Sequence, residues 1–147
     1  MADNMEKRAR RLVTFRTLQR DRASREVQTA RQAKESAETH VRNSEETVRR
    51  EAEAAQEISE WTRTPEDIQL ALACVDAARA ELSAKHQTLK NAEKHLGAKS
   101  KLLLATHKKV QQMEALKQRA AMAARTHEKK REQAEIDDLA TNREARQ

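Results

Sequence analysis

Apolar residues recur every seven positions through the second half of the chain. Seven branched aliphatic residues follow at this interval without a break: Ile68, Val75, Leu82, Leu89, Leu96, Leu103 and Val110. The positions three residues further on are mostly small: Ala71, Ala78, Lys85, Ala92, Lys99, Thr106 and Met113. A seven-residue repeat keeps one stripe of an α-helix against a partner helix in a left-handed supercoil. The pattern therefore predicts a long coiled-coil helix with a narrow contact stripe, the seam.

The first half of the chain carries the same repeat with smaller and more polar residues. One stripe reads Val13, Arg20, Val27, Lys34, Val41, Val48 and Ala55, and its companion reads Arg16, Ala23, Ala30, Ala37, Ser44, Glu51 and Ile58. Leucines of one helix fill the space that alanines leave on the other, and small residues permit close approach. Several apolar residues near the termini leave this register: Leu12, Phe15, Leu18, Leu116, Met122, Ile136 and Leu139. We therefore expect two paired helices whose terminal ends differ from a pure two-stranded seam.

A single interruption separates the two repeats. Thr64 is a good helix N-cap, Pro65 suits the first helical position, and Glu66 and Asp67 favour the positive end of the helix dipole. Pro65 also pushes Thr64 out of the α region, so the preceding helix must stop by about Arg63. The chain is therefore predicted to turn once, at a corner near these residues.

The predicted fold is all-α, a long two-helix antiparallel coiled-coil hairpin that forms one domain over residues 1–147. The first helix is expected at about 5–62, the turn at 63–64, the second helix at about 65–139 and a frayed tail at 140–147. A connection this short forces the helices to run antiparallel. The one glycine, Gly97, lies inside the second helix, where it indicates close packing or a slight bend.

Composition excludes most classes of enzyme. The chain is 37% charged and 1% aromatic, with one Gly and one Pro, which is typical of long helices and not of a core that encloses a substrate cavity. One glycine cannot build a phosphate-binding loop, and no two of the five histidines are spaced to share a metal on one helix face. We expect no enzymatic activity, cofactor, metal or small-molecule substrate.

The single cysteine and the hydropathy pattern bear on location. Cys74 adjoins the Val75 stripe and is interpreted as a small packing residue. One cysteine excludes an intrachain disulfide and suits a reducing cytosol. No apolar run approaches the roughly 20 residues of a membrane span. We therefore expect a cytoplasmic protein without an integral membrane segment.

The net charge of +6 is unevenly distributed. Residues 1–26 hold eight Lys and Arg against four Asp and Glu, and 85–131 hold thirteen against three. Residues 27–84 hold seven against twelve, and 132–147 hold two against five. An antiparallel hairpin places both basic segments at the terminal end and leaves the corner acidic. Such a field steers the basic end toward an acidic partner, and the alternative is that the charge serves solubility alone, although a surface that serves only solubility normally intersperses the two signs.

Trp61 precedes the corner and has two interpretations. It can pack as a local staple that closes the hairpin, or it can anchor a partner at the tip, since aromatic residues are favoured at binding hot spots. The basic runs 7–11 and 129–131 could bind phosphates. Nucleic-acid recognition normally adds stacking aromatics or a recognition helix, and the sequence shows neither.

The chain resembles the FliJ/YscO family of type III secretion and flagellar export stalk proteins. The opening residues 11–23, with the sequence RLVTFRTLQRDRA, look like the start typical of the YscO branch, in which a hydrophobic and arginine-rich turn leads into a run of Arg, Ala and Glu. The resemblance implies a cytoplasmic protein at the base of a membrane-embedded secretion apparatus, including those associated with virulence. It also implies a hairpin whose terminal end enters the pore of a hexameric secretion ATPase and promotes ATP hydrolysis. The rest of the hairpin would reach the cytoplasmic part of the export gate, and some members also bind export chaperones.

The charge pattern and the resemblance together suggest two sets of partner-binding residues. The residues expected on the ATPase side are Arg8, Arg11, Arg16, Arg20, Lys108, Lys109, Lys117, Arg119 and Arg125. Those expected on the gate side are Ile58, Trp61 and Ile68. Two other functions remain open from the sequence: a self-associating scaffolding coiled coil, and a helical hairpin that binds nucleic acid nonspecifically through charge.

Overall fold

The computed structural model describes residues 2–61 and 64–146, with side chains from Asn4 onward, and shows two helices packed against each other. Helix α1 spans Ala2–Trp61 and helix α2 spans Pro65–Glu144. Within the described residues there is no β-strand. The predicted all-α helical hairpin is therefore confirmed.

The corner has the local chemistry that the sequence predicts for the start of α2. Thr64 is the non-helical residue before Pro65, and its carbonyl oxygen accepts a hydrogen bond from the amide of Ile68 at 3.4 Å. An N-cap residue accepts the first intrahelical hydrogen bond in this way. Glu66 and Asp67 occupy the first turn of α2. Residue 63 of the predicted turn, and residue 62 at the predicted end of the first helix, lie outside the described residues.

The seam assignment is confirmed by burial. Of the predicted seam positions on both helices, only Ile58 is exposed, at 37%. The Nζ of Lys99 lies 3.0 Å from Oε2 of Glu26 and joins the two helices. This pair and the heptad positions together give a register in which the residue numbers of facing layers add to about 126. Ala37 then faces Leu89, and Ala30 faces Leu96, as the size difference between the two stripes predicts.

Contacts divide the chain into two compact units. Unit 1 comprises residues 1–24 and 102–147, and unit 2 comprises residues 25–101. In unit 2 the buried seam consists mainly of alanine and valine: Val27, Ala30, Ala37, Val41, Ala71, Val75 and Ala78. In unit 1 the buried residues are Ala9, Ala23, Val110 and Ala120, and Val110 is the most completely buried large side chain.

The end of α2 differs from the prediction. The helix continues to Glu144 instead of ending near Leu139, so the segment predicted to fray is helical over most of its length. From Arg125 to Arg146 every described side chain is exposed, so packing does not account for this helix. Local pairs one turn apart support it instead, including Arg131 with Glu135 at 3.6 Å and Gln133 with Asp137 at 2.9 Å.

Two packing interpretations from the sequence are wrong. No atom outside the local helix lies within 4 Å of the place that a Cβ on Gly97 would occupy, so this glycine does not serve close packing. Cys74 is exposed and does not fill the seam. Its side chain lies across from Ala54, and a methyl group is too small to cover it.

Candidate partner-binding surfaces

Unit 1 contains every residue predicted for the ATPase side. The unit carries seventeen Lys and Arg against ten Asp and Glu, whereas unit 2 carries thirteen against fourteen. Arg16 and Arg20 lie half-buried on the seam, and the other seven predicted residues are exposed. The structure therefore brings the predicted cations into one unit. Their binding role stays a prediction.

Most of these cations keep their full charge available to a partner. Among the described residues, no carboxylate lies at ion-pairing distance from the seven exposed members, which are Arg8, Arg11, Lys108, Lys109, Lys117, Arg119 and Arg125. Their neighbour Arg10, by contrast, is paired with Glu6. An unneutralised cation contributes more to long-range attraction of an acidic surface than a paired one does.

Arg16 is the unusual member of the group. It occupies a seam position of α1 and is half-buried. One guanidinium nitrogen, Nη1, donates to Oε1 of Gln19 at 3.0 Å, and the guanidinium carbon lies 5.7 Å from the ring centre of Phe15. Its Nε is buried and has no hydrogen-bond partner in the described part of the chain. A buried donor without a partner costs stability, so this arginine weakens the seam in unit 1.

Exposed apolar residues accompany the cations of unit 1. Leu12, Leu116 and Phe15 are 41%, 42% and 53% exposed. The heptad positions place Leu12 and Leu116 on the same side of the helix pair, and Phe15 lies one turn from Leu12. These residues leave the seven-residue register of the sequence, which does not by itself assign them to a partner-binding set. Their departure from the seam is the signal that identifies them, because a residue absent from the seam is free to contact a partner.

Unit 2 contains the three residues predicted for the gate side, in different environments. Trp61 is 87% exposed, so it does not pack as a staple across the corner, and that interpretation is wrong. Ile58 is exposed to a smaller extent, and Ile68 is half-buried in the seam. Only Trp61 and Ile58 therefore present substantial apolar surface.

The described residues offer no arrangement for metal chemistry and no membrane span. No group of three or more His, Cys, Asp or Glu in the described parts of α1 and α2 could hold a metal ion. Neither helix, over those same residues, has a segment long and apolar enough to cross a bilayer.

These features define a class of protein: an α-helical hairpin that offers charged and apolar surfaces for partners. A family model described as Flagellar FliJ protein matches residues 5–147, and the chain belongs to the FliJ family. This family includes the FliJ/YscO-type export stalk proteins, so the chain is a flagellar or type III export-related protein. Comparisons with curated proteins and with solved structures find no match.

Proposed function

We propose that this chain is a non-enzymatic central stalk of a type III secretion or flagellar export ATPase complex. Unit 1 inserts into the pore of the hexameric ATPase ring and promotes ATP hydrolysis, and the corner in unit 2 contacts the export gate. The protein acts in the cytoplasm at the base of the apparatus. Membership of the FliJ family supports the export context.

The observation that carries the proposal is the group of unneutralised cations in unit 1 beside Leu12, Phe15 and Leu116. Opposite charge steers association and fixes orientation, and desolvated apolar anchors supply binding energy. A surface that combines unpaired cations with exposed apolar residues is complementary to a protein pore lined by carboxylates and apolar residues.

The test is ATP hydrolysis by a purified type III secretion or flagellar export ATPase. Four exposed cations of unit 1 are reversed together in the variant Arg8→Glu, Arg11→Glu, Lys108→Glu, Lys109→Glu. The matched control makes the same change in net charge in unit 2, with Arg79→Glu, Lys90→Glu, Lys94→Glu, Lys101→Glu, all at exposed positions. Helical content by circular dichroism verifies that both variants fold.

We expect the unmodified chain to stimulate hydrolysis, the unit 1 variant to lose stimulation by about tenfold or more, and the control to retain most of it. Absence of both binding and stimulation by the unmodified chain contradicts the proposal. Equal loss in the two variants also contradicts it, because net charge alone would then explain the effect.

A further inference from the structure

The seam of unit 2 is underfilled close to the corner. In the register of the helix pair, Ala55 faces Ala71, so two of the smallest side chains meet in one layer. Grooves open on both sides of this layer. One has a volume of about 280 Å³ and is lined by Glu51, Ala54, Ala55, Ile58, Asp67, Leu70, Ala71 and Cys74. We call it the corner groove.

The groove on the other side of the layer has a more polar lining. Its volume is about 330 Å³, and it is lined by Ala52, Ala55, Gln56, Ser59, Ile68, Leu72, Val75, Asp76 and Arg79. Leu72 exposes apolar surface in that groove at 54%, whereas two residues, Leu70 and Trp61, expose apolar surface on the side of the corner groove, at 67% and 87%. Trp61 lies two helical turns after Ala54, which is a wall of the groove, and so faces the same way.

Carboxylates outnumber cations beside the corner groove, where Arg50, which is paired with Glu46, occupies the same heptad position as Glu57. Glu51 and Asp67 line the groove, and the heptad positions of Glu57 and Glu81 place them on the same side of the helix pair. In the described residues, no Lys, Arg or His lies at ion-pairing distance from these four. An apolar groove with an unneutralised acidic rim is complementary to a partner that has apolar anchors between basic residues.

The size of the groove indicates how such a partner binds. Small-molecule sites usually measure about 300–1,000 Å³ and enclose most of their ligand, whereas this groove is open along the helix pair and slightly smaller. A depression between two helices accepts the side chains of a third helix as knobs into holes. One or two large apolar side chains of that helix would complete the alanine layer.

We propose that the corner groove binds a basic amphipathic helix of a protein partner, anchored by apolar side chains over Ala54, Ala55 and Ala71 and oriented by the acidic rim. This inference deepens the proposed function, because it gives the chemistry of the partner at the end assigned to the export gate. It is nevertheless tested without the gate or the ATPase.

The chain carries its own reporters at the groove. Cys74 is the only cysteine and lines the groove, and Trp61 is the only tryptophan and lies beside it. Two synthetic helical peptides serve as probes. Both have leucine at i, i+3, i+4 and i+7, and the other positions are lysine in one peptide and glutamate in the other.

We expect the lysine peptide to slow alkylation of Cys74 by N-ethylmaleimide at least about fivefold, to change Trp61 fluorescence and to bind more weakly as salt rises. The glutamate peptide should neither protect Cys74 from alkylation nor change Trp61 fluorescence.

Ala54→Leu fills the groove and should weaken binding of the lysine peptide about tenfold or more. Ala52→Leu makes the same change in the groove on the other side and should leave binding unchanged.

Three outcomes overturn the inference: no protection of Cys74, equal effects of the two peptides, or equal effects of the two alanine substitutions. Protection that rises with protein concentration in the absence of peptide also overturns it, because a second copy would then occupy the groove. ATPase stimulation by the unmodified chain is measured in parallel, in the absence of peptide. Absence of stimulation would refute the stalk function and leave the groove result intact, because the peptide experiment contains no ATPase.

Discussion

Arg16 combines a buried, unpaired donor on the seam with a proposed role in binding the ATPase. Its Nε is buried without a partner in the described part of the chain, at a seam position where an apolar residue would be expected. Arginine at such a position breaks the rule that seam positions are apolar. Sites where a sequence breaks a local rule are often functional. We therefore infer that the charge of Arg16 contributes to binding.

Replacing Arg16 with leucine should separate stability from function. We expect Arg16→Leu to raise the free energy of unfolding by about 0.5–1.5 kcal/mol, because it removes the unpaired donor and fills the seam. The same variant should stimulate the ATPase less. Urea unfolding followed by circular dichroism measures the first effect, and the hydrolysis assay measures the second.

Arg8→Leu is the matched control, because Arg8 is exposed and lies off the seam. It should lower stimulation without changing stability by more than about 0.5 kcal/mol. A destabilised Arg16→Leu, or one with full stimulation, would show that Arg16 is a structural residue.

At the scale of the helices, the sequence determines the seam more completely than the surfaces beside it. Leu89 and Leu96 could be assigned to the seam because the seven-residue repeat specifies one stripe, and Thr64 and Pro65 specify where α2 begins. The exposure of Cys74 could not be assigned in this way. Positions that flank a seam are covered only if the facing side chain is large, and that depends on the register between the helices. The corner groove went unrecognised for the same reason.

The length of α2 was underestimated because its last turns have no packing partner. The predicted end near residue 139 coincides with the last apolar residue before the tail, Leu139, whereas the helix continues to Glu144. Residues 140–144 contain no glycine or proline to stop it. Burial is thus a poor guide to the end of a helix that local side-chain pairs support.

Gly97 offers a test of α2 as an element. Its backbone has no positive φ, its surroundings have room for a Cβ, and it is exposed in the middle of the helix. We expect Gly97→Ala to raise the free energy of unfolding by about 0.5–1 kcal/mol, since alanine loses less backbone entropy in a helix. The matched control is Ala98→Gly at the exposed neighbouring position, which should lower it by a similar amount. Urea unfolding measures both, and destabilisation by Gly97→Ala would show that the glycine has a packing or bending role.

At the scale of the whole molecule, the question is whether one chain buries its apolar seam by itself or needs a second copy to cover it. All predicted seam residues except Ile58 are covered within the units. The other exposed apolar residues form separate groups, such as Leu12 with Phe15 in unit 1 and Trp61 with Leu70 in unit 2. A self-associating coiled coil needs a continuous apolar stripe for a further helix. The excess of seven positive charges in unit 1 also repels the same unit of another copy.

We therefore expect a monomer of 16.8 kDa in sedimentation velocity at micromolar concentration and low salt. Since salt screens repulsion between like charges, any weak association should increase with ionic strength. An assembly held by ion pairs between copies would behave in the opposite way and dissociate as salt rises. A stable dimer or tetramer at low salt would favour a scaffolding function over a stalk, because a stalk inside one ring must enter as a single hairpin. The oligomeric state at low salt thus distinguishes the two functions, and the direction of the salt dependence shows whether ion pairs or apolar contacts hold any weak association together.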